Sequence, residues 1–323
     1  MAAQLLQAPK RVNITVTDDA TALEAVKRLV TGHETKVQIV PSESPHRCVT
    51  WSSGDHVLVR LYKPLRCDAA LEVEIATAVG PKILGTFTNG HVEEYYVYHT
   101  PAKVHEKPDA VDGLARALAA VHALKCDMGI KPRSWVMLRR ACENARTLSF
   151  GERGHLVKTR YRDVSPILDS SLLVRNLDQL EARVPPKAHV CLCHGAAAAH
   201  LILRSDDADA RLVDWGAAGV DYAAWDLARA LHDDCEDLPE LSDRRAFVQE
   251  YLATLHDEPP APSSVNALVN DVQYFTICDN YLRGFELVER AHAAPKDVDA
   301  ADLLSKAAIR LRQARAQQYV VVW

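Results

Sequence analysis

The sequence predicts an α+β protein of two lobes: a small β-rich N-terminal lobe over residues 1–100 and a larger, mainly helical C-terminal lobe over 101–323. Three observations carry this. Short apolar runs joined by hairpin-type turns, Ser52-Ser53-Gly54-Asp55 and Asn89-Gly90, fill most of the first hundred residues. Past Thr100-Pro101 the apolar spacing changes from that of strands to that of helices. Within the helical part, two short β-type runs at 189–193 and 211–215 flank an alanine-rich loop.

The elements follow in order. Asp18-Asp19-Ala20-Thr21 caps an amphipathic helix over 22–30, and Thr31-Gly32 stops it. Strands are expected at 36–40, 48–51 and 56–62, then a short helix at 69–79 ending at Gly80-Pro81, then strands at 82–88 and 92–98. The first lobe is therefore a helix plus a five-stranded antiparallel sheet. In the second lobe Leu114, Leu118 and Val121 mark one face of a helix over 111–124. Further helices are expected at 135–148, 170–183, 225–234, 242–256, 264–293 and 298–319. Pro259, Pro260 and Pro262 stiffen the link across 257–264.

Composition removes several function classes. With 38 Lys and Arg against 43 Asp and Glu the net charge is −5, which favours neither a nucleic-acid groove nor an anionic membrane surface. No apolar run approaches the ~20 residues that span a bilayer. The first residues carry no basic, apolar leader pattern, so the expectation is a cytoplasmic, reducing compartment. Eight cysteines scattered without C-x-x-C pairs read as reduced thiols. Cys191 and Cys193 alternate on a strand and share a face, but the sequence offers no second pair to complete a metal site.

Chemistry is concentrated in Cys193-His194-Gly195-Ala196-Ala197-Ala198-Ala199-His200-Leu201-Ile202-Leu203, followed by Leu212-Val213-Asp214-Trp215-Gly216. This is the layout of a kinase catalytic loop and its metal-binding aspartate, with alanines in place of the reactive groups. Phosphoryl transfer of this type needs a carboxylate to orient and deprotonate the attacking hydroxyl, and an amide side chain for a second Mg²⁺.

Several collinear segments resemble the choline and ethanolamine kinases, which have a bilobal protein-kinase-like fold. Val57-Leu58-Val59-Arg60-Leu61-Tyr62 is similar to their third strand, where an arginine faces the ATP phosphates. The segment 80–95 resembles the next two strands and the hinge, and Leu114–His122 the helix that ends in a structural histidine. Cys193-His194 and Asp214-Trp215 resemble the loop histidine and the metal aspartate, and Tyr281-Leu282-Arg283-Gly284-Phe285 lies where the family has its aromatic choline-cage helix. The resemblance runs from about residue 36 to the end.

The departures fall on chemistry. Against the family pattern Cys-His-Asn-Asp-Leu-x-x-x-Asn-Ile-Leu, Ala196 replaces the catalytic aspartate and Leu201 the metal-binding asparagine. General-base assistance alone is worth roughly 10²–10⁴-fold. The loop meant to cover phosphate, Pro41-Ser42-Glu43-Ser44-Pro45-His46, has no glycine, two prolines without N–H donors and an anion. The two cage tryptophans align with Leu282 and Phe285, which weakens a cation–π cage. Glu72 or Glu74, the expected partner of Arg60, sits on a helix of only about two turns before Gly80.

The resemblance thus implies a pseudokinase acting as a binding or regulatory module, with no catalytic residue. The alternative is an ATP-dependent choline or ethanolamine kinase with a rearranged site, its base supplied by His200 or by Asp206, Asp207 or Asp221. Arg60 either contacts phosphate or pairs with a carboxylate. Asp214 either retains one Mg²⁺ or serves as a hydrogen-bonding residue. His194 and Asp226 brace the loop through backbone hydrogen bonds. No cofactor is expected, ATP and Mg²⁺ entering only if nucleotide binding survives. The expected partner is a protein, met through the long helices at 264–293 and 298–319, and the resemblance also allows a homodimer.

Overall fold

The computed structural model describes residues 10–30, 38–40, 47–50, 56–61, 69–80, 82–94, 108–125, 131–195, 201–203, 210–213, 215–231 and 241–321. The chain divides into two compact units, Met1–Val121 with Ala199–Ala218, and His122–Ala198 with Gly219–Trp323.

In the first unit, Asp18 caps α1 (Asp19–Leu29) by a reciprocal box: Thr21 N–H donates to Asp18 Oδ1 at 2.8 Å, and Asp18 N–H donates to Thr21 Oγ1 at 3.1 Å. Ala22, Ala25, Val26 and Leu29 share one face of α1 and are buried in one core with Val57, Val59, Phe87 and Val92. Those partners come from a five-stranded antiparallel sheet ordered β1-β2-β3-β5-β4: β1 (Gln38–Val40), β2 (Arg47–Thr50), β3 (His56–Leu61), β4 (Ile83–Phe87) and β5 (Gly90–Glu94). α2 (Ala69–Val79) stands at the predicted place. The expected strand ends at Tyr62 and at 95–98 lie outside the described residues.

The β4–β5 turn shows why Asn89-Gly90 is used. A Cβ on Gly90 would lie 2.1 Å from the Arg60 carbonyl oxygen, so only glycine lets β5 approach β3 there. The Asn89 side chain pairs with the N-terminal segment: Val16 N–H donates to Oδ1 at 2.8 Å, and Nδ2 donates to the Val16 carbonyl at 2.9 Å. Asn89→Ala is expected to cost roughly 1–3 kcal/mol by leaving both Val16 groups without these partners; denaturant unfolding measures it. Residues 10–14 run beside β4, Val12 N–H donating to the Thr86 carbonyl and Thr86 N–H to the Lys10 carbonyl, so the outer edge of the sheet is covered. α3 (Pro108–His122), whose last residue belongs to the second unit, buries Leu114, Leu118 and Val121 as predicted.

The second unit is built on α9 (Pro262–Ala293), a 32-residue helix starting with proline in its first turn and packed by α4 (Ser134–Thr147), α7 (Ala223–Leu231), α8 (Leu241–His256) and α10 (Asp297–Val321). Buried residues lie all round α9, as for a core helix. α5 (His155–Leu168) was not expected. It has only Val157, Val164, Ile167 and Leu168 buried, is otherwise largely polar, and holds Pro166 in its last turn. Packing against α10 is what makes it a helix. α6 (Leu172–Glu181) follows.

The strands around the alanine loop differ from expectation. The run at 189–193 and the run at 211–215 do not pair with each other. β6 (Val190–Cys193) pairs with β9 (Gly219–Tyr222), and β7 (Leu201–Leu203) pairs with β8 (Ala210–Leu212). Trp215, read as the last residue of a strand, instead opens a 3-10 turn over Trp215–Ala217 that packs on α2. Each new partner is three or four residues long and carries no turn signal, so periodicity does not separate it from loop. No helix among the described residues is long and apolar enough to cross a membrane.

Candidate functional site

In the first unit, β3 sets Arg60 opposite His91 of β5, and alternation puts Glu93 on the same face. Arg60 Nε and Nη2 donate to Glu93 Oε1 at 3.1 and 2.6 Å, and His91 Nε2 lies 3.0 Å from Glu93 Oε2. All three are buried, at 5%, 0% and 1% exposure. Burial alone would raise the Glu93 carboxyl; the Arg60 charge, helped by His91, instead holds it down at about 2. The arginine's described carboxylate partner thus comes from the neighbouring strand. Glu74 on α2 is exposed, and the Glu72 side chain lies outside the described residues. Trp215 is buried at 1% exposure, while Asp214 lies outside the described residues.

In the second unit, Asp226 in the first turn of α7 is the hub. Its Oδ2 accepts from His194 N–H at 2.7 Å and its Oδ1 from Gly195 N–H at 2.8 Å, so one carboxylate holds the two residues at which β6 passes into the loop. Gly195 has φ 79°, a left-handed conformation that glycine adopts without strain. His122 Nε2 lies 3.2 Å from Asp226 Oδ2, and its Nδ1 lies 2.8 Å from the Tyr251 hydroxyl. Burial favours neutral groups at both ends of the His122–Asp226 pair. Their mutual hydrogen bond outweighs it, raising the imidazole pKa and lowering that of the carboxyl. Asp226 therefore braces the loop root through backbone hydrogen bonds as expected, and the backbone N–H of His194 is one of the two groups it holds.

Next to this hub, the Cys191 and Cys193 Sγ atoms are 3.8 Å apart. The thiol contact from Cys193 pulls Cys191 down, whereas burial pushes Cys193 up. Asp221, one of the substitute carboxylates considered, sits on β9. It accepts from the Ser134 hydroxyl and from Tyr222 N–H at 2.9 Å, and burial pushes it up to about 6. Those donors occupy it structurally.

Ala196, His200, Asp206 and Asp207 lie outside the described residues, and of Leu201 only the backbone, in β7, is described. Leu282 and Phe285, at 2% and 0% exposure, face the interior and cannot line an open cage. The half-exposed side of α9 carries Arg283 and Glu286 instead, and Arg229 of α7 reaches Glu286 at 3.2 Å and Asp279 at 3.5 Å. Sequence reasoning missed Glu93, His91 and Tyr251. The only signal was the alternation His91-x-Glu93, which gains meaning once the β3–β5 register is known.

Comparison with known proteins gives a consistent picture. The profile of the choline/ethanolamine kinase family matches residues 30–314. A probable choline kinase of Arabidopsis thaliana is 21% identical over 235 residues, 68% of this chain and 64% of that protein's length. Among solved structures, a Plasmodium vivax ethanolamine kinase has a TM-score of 0.67 at 18% identity, covering 93% of this chain and 91% of its own. A Cryptosporidium parvum choline kinase has a TM-score of 0.66 at 15% identity, covering 94% and 97%. These likenesses establish the protein-kinase-like α+β fold read from the sequence. With its profile match extending over most of its length, the chain belongs to the choline/ethanolamine kinase family.

Proposed function

We propose that this family member does not transfer phosphate and works as a binding or regulatory module whose partner is another protein. One observation carries the reading: from Gly195 to Leu203 the sequence contains no carboxylate and no side-chain amide, His200 being its one titratable residue. A loop of that composition offers neither the carboxylate that takes the alcohol proton nor the ligand for a second Mg²⁺. Two further features support it. The charge of Arg60 is already met by buried Glu93, and Leu282 and Phe285 are turned into the core.

The test is thermal unfolding with millimolar Mg²⁺-ATP, together with an assay for phosphocholine and phosphoethanolamine. A site with Kd tenfold below the nucleotide concentration would stabilise the fold by about 1.4 kcal/mol. The expected result is an unmoved Tm, no product above background, and no rescue by Ala196→Asp alone, because Leu201 and the glycine-free 41–46 loop remain. Turnover by the unmodified chain would overturn the proposal, and its loss in His200→Ala would then identify the base of a rearranged kinase site.

A further inference from the structure

Cys191 and Cys193 occupy alternate positions of β6, so both thiols leave the same side of the strand. Their Sγ atoms stand 3.8 Å apart. Two thiolates on one tetrahedral zinc, with bonds of about 2.3 Å, stand about 3.8 Å apart as well. The fold adds what the sequence did not offer, a third donor from a distant element. The ligand atoms of His122, Cys191 and Cys193 all lie within 4.8 Å of one another. In a Cys₂His tetrahedron the nitrogen-to-sulfur edges are about 3.6 Å, so an adjustment of about 1 Å on the imidazole side completes the triangle.

The surroundings suit a metal-ligating histidine. Such an imidazole is oriented by a carboxylate on its far nitrogen, and Asp226 Oδ2 stands 3.2 Å from His122 Nε2. That leaves Nδ1 to coordinate. Nδ1 faces the Tyr251 hydroxyl at 2.8 Å, so the ion enters by displacing that hydroxyl from the imidazole, and the displaced phenol or a water completes the shell. Cys191 is only half-buried and gives the ion a way in, whereas Cys193 and His122 are buried at 1% and 4% exposure.

We propose that His122, Cys191 and Cys193 form a site for a thiophilic d¹⁰ cation, zinc first among them, at the root of the loop. Two sulfurs and one imidazole select such ions over Mg²⁺ or Ca²⁺. The ion ties the end of α3 to β6, beside the two backbone amides gripped by Asp226. Its role is to hold that junction, and it takes no part in phosphoryl chemistry.

The test uses the full-length protein, reduced and stripped with a chelator, then titrated separately with Zn²⁺ and Co²⁺. One equivalent of zinc is expected to survive gel filtration and to raise Tm by roughly 5 °C. Cobalt is expected to give thiolate charge-transfer absorption with the intense visible bands of a tetrahedral centre. Cys191→Ser should abolish all three signals while Cys67→Ser keeps them. Cys191→Ala serves as the second variant if the serine protein fails to fold. No retained zinc, a weak octahedral cobalt spectrum, or full retention in the Cys191 variants would each overturn the assignment.

Discussion

Asp226→Ala is expected to destabilise the protein by roughly 3–5 kcal/mol, because two buried groups and one part-buried amide lose their acceptor at once. His194 and Gly195 N–H and His122 Nε2 all converge on this carboxylate, and Asp226 itself is 3% exposed. His194 N–H and His122 lie in the interior and bear most of the desolvation, whereas Gly195 N–H is part-buried. Asp226→Asn should cost less but still substantially, since an amide offers one acceptor oxygen where two are used and presents N–H to a donor. Equilibrium unfolding of both variants gives the magnitude. Hydrogen exchange gives the location: the His194 and Gly195 amides should lose protection first. A loss below about 1 kcal/mol in the alanine variant would mean that the carboxylate is not the anchor.

Arg60→Met is expected to cost roughly 3–5 kcal/mol, the usual penalty for leaving one member of a buried ion pair without its counter-charge. Glu93, at 1% exposure, would then keep His91 Nε2, 3.0 Å from its Oε2, as its side-chain partner among the described residues. Adding Glu93→Leu should recover most of the loss, since removing both charges removes the desolvation along with the attraction. The pair also predicts a pH dependence. Glu93 is held at about 2 in the folded state against an ordinary 4.5, so the unfolded chain binds more protons between those values. Its contribution is therefore fully present above about pH 4.5 and is lost as pH falls toward 2. Acid titration of stability, compared with Glu93→Gln, should show the difference between the two proteins shrinking over that window. In Arg60→Met the burial of Glu93 is no longer outweighed, so its pKa rises and the slope in this region should flatten or reverse.

Much of the fold could be read from local signals, because the chain states them locally. Asp18 with Thr21 announces α1, Asn89-Gly90 announces the β4–β5 turn, and Leu114, Leu118 and Val121 mark the buried side of α3. What escaped depends on distant partners. α5 is a helix because α10 covers its thin apolar stripe. β9 exists because it meets β6, and β7 because it meets β8. α9 illustrates a different limit. Its apolar positions run all round, so spacing could not tell which side would be open, and Leu282 and Phe285, aligned with the family's cage tryptophans, are buried. At the candidate site, the shared face of Cys191 and Cys193 followed from alternation, and Asp226 as a brace from the family resemblance. The arrival of His122 beside the thiols, and of Glu93 beside Arg60, required a register between elements that no short motif encodes.

The stretch over residues 10–16 has a consequence for handling the protein. It lies along the outer strand of the sheet and is fastened to Thr86 and Asn89. Trimming it would uncover a ribbon of amides and carbonyls with the spacing another molecule's strand needs, inviting self-association. A tag or truncation at that end therefore acts on solubility through sheet chemistry, at a place far in sequence from the alanine loop.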